Sequence, residues 1–252
     1  VAGAAGPPTD DVAGAAGPPT DDVVGAARAP GDAAAEAPDE AEVGAPEHEG
    51  LAGEPEAGGE AIEPPPDPDA LAEPPPAVAE LAAACVRFVA TRYGTMLDFQ
   101  PETLSLLDQW LRDARSELKS RPEAADVVQS AAGAYLGEVI RRTFGARWFA
   151  EGDRSGWRLY LSTVYCAFSP IGMAREALLL DTADGWHAHF ELDPGEQEVI
   201  EARLAALPPV DEEDYFAPST RFDVVSIVVE ALRESMRASG LADVRFTPDD
   251  YR

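Results

Sequence analysis

No phenylalanine, tryptophan or tyrosine occurs before Phe88. Residues 1–78 also hold 15 of the 23 prolines, 18 acidic residues and a single base, Arg28. Fixing a backbone costs about 1–2 kcal/mol per residue, and this stretch has too little apolar surface to offset it. It reads as a disordered acidic tail over 1–78, with folding confined to 79–252. The tail contains a direct repeat. Residues 1–11 and 12–22 both read VAGAAGPPTDD, and a degenerate third copy begins at Val23. Paired prolines in each unit exclude an 11-residue coiled coil. The repeat is a linker on this reading, or else a docking tag. Pro66, Pro68 and the run 74–76 stiffen the last stretch toward polyproline II and hold the folded part away from what precedes it.

The net charge of −28 argues against binding nucleic acid through phosphate neutralisation. No run of roughly 18 apolar residues is present, so no membrane span is expected. Two cysteines are too few for a disulfide framework or a four-thiolate zinc site. The chain starts at Val1, as a fragment or processed form would, and no secretory signal is visible. A cytoplasmic location is the expectation.

Past the tail, the spacing of Leu81, Cys85, Phe88, Val89 and Tyr93 predicts a helix over 79–93, stopped by Gly94. Pro101 opens a second helix to about 119, and Pro122 a third to about 144. Gly133 and Gly137 share one face of that third helix. They point to close approach of another backbone, with a ligand-facing groove as the alternative. A strand then starts at 147–149, alternation predicts another at 157–162, the β-prone stretch 163–168 continues it or forms a further strand, and 186–192 is read as one more. Asp184–Gly185 is read as a hairpin turn, Ser169, Pro170 and Gly172 as an interruption, and 173–179 as a short helix. Helices at 194–207 and 221–239 follow, separated by an acidic loop at 211–214, with a possible edge strand at 243–246. The fold class is α+β. A single domain of five substantial helices and a small antiparallel sheet of three to four strands is expected.

Two segments resemble an uncharacterised bacterial family of cytosolic domains. One is RYGTMLDFQPETLSLLDQWL (92–111), the other GAYLGEVIRRTFGARW (133–148). The shared pattern is an LDFxPxSLxxLD entry to one helix, then a YLGE helix ending before a Gly-x-x-Trp strand. It falls here on Leu97, Asp98, Phe99, Pro101, Leu104, Asp108, Tyr135, Leu136, Gly137, Glu138, Gly145 and Trp148. SPIGMAREAL (169–178) is similar to a helix start in the same family. The resemblance implies one bacterial domain and carries no activity.

Candidate chemistry is sparse. His187, His189 and Glu191 would share one strand face, so they are either solvated or a metal-binding set. Glu138, within an apolar helix, either pairs with Arg141 or Arg142 or acts as a buried acid or base. Cys166 reads as a structural thiol, having no basic neighbour. No nucleophile elbow or phosphate loop is present, and no cofactor is expected. Arg141, Arg142, Arg147 and Arg154, interleaved with Trp148 and Trp157, form the main basic concentration. They suit an acidic partner or the chain's own tail. The favoured function is a non-enzymatic interaction or accessory domain whose partner is another protein. One alternative is a small-molecule or enzymatic pocket built on Tyr135, Glu138 and the arginines near the Gly133–Arg142 helix. The other is a metal-dependent activity at His187, His189 and Glu191.

Overall fold

The computed structural model describes residues 73–251. The tail and its repeats, through residue 72, lie outside the described residues. The folded part begins earlier than 79. Helix α1 spans Pro76–Tyr93, and Val78 is fully buried. Pro76 can open the helix because the first turn needs no backbone donor from it. Val78, Ala82, Cys85 and Val89 form its buried stripe, and Gly94, at φ 71°, stops it by donating to Ala90 O.

A short 3-10 turn, Pro101–Thr103, leads into α2 (Leu104–Leu118). Asp98 organises this entry by accepting from Gln100 N at 3.0 Å. Leu104, Leu107, Trp110, Leu111 and Ala114 are the buried face of α2. Helix α3 (Ala125–Phe144) is buried without interruption from Gln129 to Arg141. Sequence spacing suggests one apolar side, but α3 packs on α1, α2, α4, α7 and the first two strands. It is the central helix, which explains its small residues Ala131, Ala132, Gly133 and Ala134.

The sheet has four antiparallel strands in the order β1 (Ala146–Phe149), β2 (Arg158–Leu161), β3 (Cys166–Phe168) and β4 (Glu191–Leu192). Trp148 pairs with Leu159, Leu159 with Phe168, and Cys166 with Leu192. Leu159 and Leu161 point into the core while Arg158 and Tyr160 are half-buried, which is the alternation the sequence shows.

The last strand is shorter than its pattern suggests. Residues 186–190 are not strand, because their backbone crosses the start of α4 (Pro170–Leu179) instead. Ser169 N donates to His187 O at 2.8 Å. A Cβ on Gly172 would lie 2.5 Å from Trp186 O. His187 takes a left-handed φ of 53° in this crossing. Asp184–Gly185 forms a turn, closed by Trp186 N to Ala183 O at 3.1 Å, but it joins no two strands. Ser169, Pro170 and Gly172 are the first turn of α4, not an interruption: Ser169 is the N-cap and accepts from Gly172 N.

Helix α5 (Pro194–Ala205) is capped by Asp193. The acidic loop contains a short α6 (Glu212–Tyr215), whose Glu213 bonds to Arg112 and Arg115 at 2.8 and 2.7 Å. Helix α7 (Pro218–Ala238) packs across α2, α3, α4 and α5. Segment 243–246 is not a strand. Besides a local Val244 N to Leu241 O bond at 3.0 Å, it makes a single longer-range backbone bond, Phe246 N to Ser162 O at 2.8 Å, and the chain then turns through Pro248–Tyr251. There the Tyr251 hydroxyl bonds to Leu161 O at 3.0 Å and accepts from Cys166 N at 2.9 Å. Among the described residues, seven helices and a four-stranded antiparallel sheet make this an α+β fold.

The N-cap position of α7 is Ala217, which has no polar side chain. Asp108 of α2 takes over, accepting from Ser219 N at 3.0 Å and from Ser219 Oγ. Asp108→Ala should therefore cost about 0.5–2 kcal/mol, the usual worth of an N-cap. Urea denaturation checks this, and an unchanged midpoint would refute the capping role.

Candidate functional site

The residues singled out on α3 come together, but as a packed knot. Glu138 is 1% exposed and accepts from Arg141 Nε and Nη2, both at 2.9 Å. Trp148 Nε1, arriving on β1, donates to the same carboxylate at 2.9 Å. The Trp148 ring lies over Gly137, where an added Cβ would come within 2.1 Å of it. Arg142 lies 3.7 Å from Glu138 Oε2 and covers the Phe99 ring, with Cζ 3.9 Å from its centroid. Phe99, at φ 64°, stacks on Tyr135 at 4.9 Å. The Tyr135 hydroxyl accepts from Phe99 N at 2.9 Å and bonds to Thr103 Oγ1 at 2.7 Å. Burial raises the Tyr135 phenol pKa above its ordinary value. The LDFxP and YLGE segments thus hold each other in place through side chains that have turned inward.

Arg147 sits half-buried on β1 opposite Tyr160. Arg154 bonds to Asp126 at 2.8 Å. Arg141 and Arg142 therefore share Glu138, while Arg147 and Arg154 lie in other surroundings.

His187, His189 and Glu191 do line one place, a cleft of about 440 Å³ shared with Arg158, Asp184, Phe168 and Phe190. The same-face argument does not hold for them, because 187–190 is not strand. Burial and the nearby Arg158 lower the His187 pKa. Among the described residues, no three His, Cys, Asp or Glu side chains converge as a metal site would require.

A larger cleft of about 760 Å³ escaped the sequence reading. Its walls come from α5, the 207–210 turn, α6 and α7, with Ile200, Leu204, Pro208, Tyr215, Val224 and Ile227 among the lining residues. Its polar end is Arg221 and His189. Arg221 is 7% exposed and donates from Nη2 to Glu176 at 2.8 Å. The Arg221 guanidinium stacks 4.4 Å from the Tyr215 centroid, and its buried Nε has no hydrogen-bond partner among the described residues. Glu176 is 1% exposed, with His189 Nε2 at 4.0 Å. Glu201 and Asp223 add carboxylates to the lining, and neither is in an ion pair among the described residues. The only hint in the sequence is a surplus of apolar residues, Leu207, Val210 and Tyr215, which remain 39–53% exposed.

Both cysteines are buried and unpaired, and burial pushes both thiols well above the usual range. No described helix is long and apolar enough to cross a membrane. No curated protein and no solved structure matches the chain. Residues 60–159, which run through α1, α2, α3 and β1 into β2, match a family of unknown function (DUF6278), and the large cleft lies outside them.

Proposed function

We propose that this is a non-catalytic binding domain whose α5–α7 cleft receives the apolar face of a basic protein segment. The observation that carries this reading is the cleft itself. It offers about 760 Å³ with a largely apolar lining and two carboxylates, Glu201 and Asp223, outside any ion pair among the described residues. That is ample for a few anchoring side chains of an amphipathic helix or an extended segment. The charge of the whole chain, −28, favours encounter with a cationic partner. The arginines that would have suited an acidic partner support it less. Arg141 is bonded to Glu138, Arg154 to Asp126, and Arg142 covers Phe99.

The test is affinity capture from the native host with the full chain, beside the Leu204→Asp and Val224→Asp variants. A partner bound by the native chain and lost by both variants supports the proposal, provided its bound segment is rich in Lys or Arg. Equal recovery by all three chains refutes it. A second reading rests on the partnerless Nε of Arg221: a small apolar ligand bearing a hydrogen-bond acceptor. Native mass spectrometry of the purified chain distinguishes the two, since a bound small molecule adds a discrete mass. The two unpaired cysteines support a cytoplasmic setting, which fractionation of host cells checks.

A further inference from the structure

The α5–α7 cleft holds one donor that the fold leaves unused. Arg221, nine-tenths buried, lines the cleft. Its Nη2 donates to Glu176 at 2.8 Å, and its Cζ lies 4.4 Å from the Tyr215 centroid and 5.3 Å from that of Phe216. The guanidinium is therefore fixed in place, and its buried Nε–H meets no acceptor among the described residues. A buried donor left unpaired is costly, so an acceptor carried by a ligand is taken up with a gain. The surroundings select a neutral acceptor. Glu176 already balances the Arg221 charge, and Glu201 and Asp223 line the same cleft. A ligand carboxylate would face three acidic side chains against Arg221 and His189, whereas a carbonyl oxygen meets no such repulsion.

We propose that the basic segment received by this cleft is an amphipathic helix whose C-terminal turn ends on Arg221, giving Nε–H one of its free backbone carbonyls. This rests on the cleft reading above and adds the conformation and direction of the bound segment. Conformation follows from the walls. These are chiefly α5 and α7, and the sheet contributes only Leu192, from the two-residue β4. Such walls offer no ladder to an extended backbone, whose N–H and C=O groups would lie unpaired against apolar side chains. A helix satisfies its own backbone except for the N–H groups of its first turn and the C=O groups of its last. Direction follows from Arg221, which can only donate. It suits the carbonyl end and would oppose the N–H groups at the other. The length also fits. Thr220 and Ile227 line the cleft seven residues apart on α7, about 10 Å at 1.5 Å per residue. Two turns of a bound helix span that distance, with apolar anchors at i, i+3 or i+4 and i+7. Lysine or arginine, favoured in the last turn of a helix, then meets Glu201 or Asp223. Tyr215, 45% exposed and stacked on the guanidinium, is the cover that turns aside as the carbonyl arrives.

The experiment uses the full chain, isotope-labelled on arginine Nε and on leucine and valine methyl groups, at about 0.15 M salt to screen non-specific attraction. The probe is a leucine/lysine peptide of about 14 residues with helical spacing, acetylated and amidated, and so about 21 Å long when helical. It carries a nitroxide at one end or the other. Binding in the cleft is read from shifts of the Leu204 and Val224 methyl resonances. The C-terminal label should broaden the Arg221 Nε–H resonance at least about threefold more than the N-terminal label. Arg221→Lys keeps a charge beside Glu176 but lacks the Nε–H, and should bind about tenfold more weakly, the usual worth of a hydrogen bond to a charged group. The labels decide on the native chain, whatever the stability of that variant. Methyl shifts accompanied by equal broadening from both ends, or by stronger broadening from the N-terminal label, overturn this proposal and leave the cleft reading standing. Unchanged affinity in a folded Arg221→Lys chain also overturns it. A peptide that leaves both methyl groups unmoved at millimolar concentration overturns the cleft reading as well.

Discussion

Gly133→Val is expected to leave the chain unable to hold its native core, and Gly133→Ala to destabilise it by about 1–3 kcal/mol. Helix propensity points the other way, since alanine in place of glycine gains about 1 kcal/mol in a helix interior. Geometry decides against propensity here. A Cβ on Gly133 would lie 2.4 Å from Ile171 Cα and 2.7 Å from both Ile171 N and Pro170 O. Those are backbone atoms at the start of α4, and no rotamer change moves them away. Relief requires α4 to separate from α3, which would open the layer where Ile171, Met173 and Ala174 are almost fully buried. Two or three kcal/mol is a large share of the 5–15 kcal/mol that a domain of this kind possesses. Gly156→Ala is the matched control. Nothing lies within 4 Å of its added Cβ, so its effect should stay within about 0.5 kcal/mol. Urea denaturation followed by circular dichroism measures both. A Gly133→Ala midpoint at or above that of the native chain would sink the argument.

That contact also shows what the sequence can and cannot convey. Two glycines four apart in a helix announce that something comes close, but not what. The partner, Pro170–Ile171, is nearly forty residues away and reads locally as a break. Helices α1, α2 and α7 are legible because each carries a buried stripe at helical spacing, and β1–β3 because their residues alternate or form short β-prone runs. The 186–190 path is not legible. Its backbone partners belong to the start of α4, and tertiary hydrogen bonding outweighs the strand-like pattern of the side chains. On α3, the Glu138–Arg141 spacing is visible to the eye, while the third member, Trp148 Nε1, requires β1 to fold back beneath the helix. The α5–α7 cleft is least legible of all. Its lining comes from four separate segments with no common period, and Arg221 meets Glu176 across 45 positions. Exposed apolar residues could have suggested a surface, but not its shape.

Glu138→Ala should cost about 3–5 kcal/mol, because it removes the carboxylate from a buried ion pair. Arg141 is 5% exposed and directs two donors to Glu138, and the Trp148 indole directs a third. None of these donors can turn to water without unpacking the sheet from α3. The double variant Glu138→Leu/Arg141→Met separates the worth of the pair from the cost of breaking it. Replacing a buried pair with apolar side chains of similar volume is often nearly neutral. The double variant should therefore be more stable than Glu138→Ala alone. Equal losses in both would mean that the Trp148 contact, and not the ion pair, dominates. A gain in stability on Glu138→Ala would reverse the reading altogether. Groups kept at a cost to stability mark functional sites, and Glu138 would then return as a ligand-binding acid, with Trp148 as the gate above it. The geometry argues for loss: all three donors lie at 2.9 Å, and the side chain that would have to meet a ligand is 2% exposed.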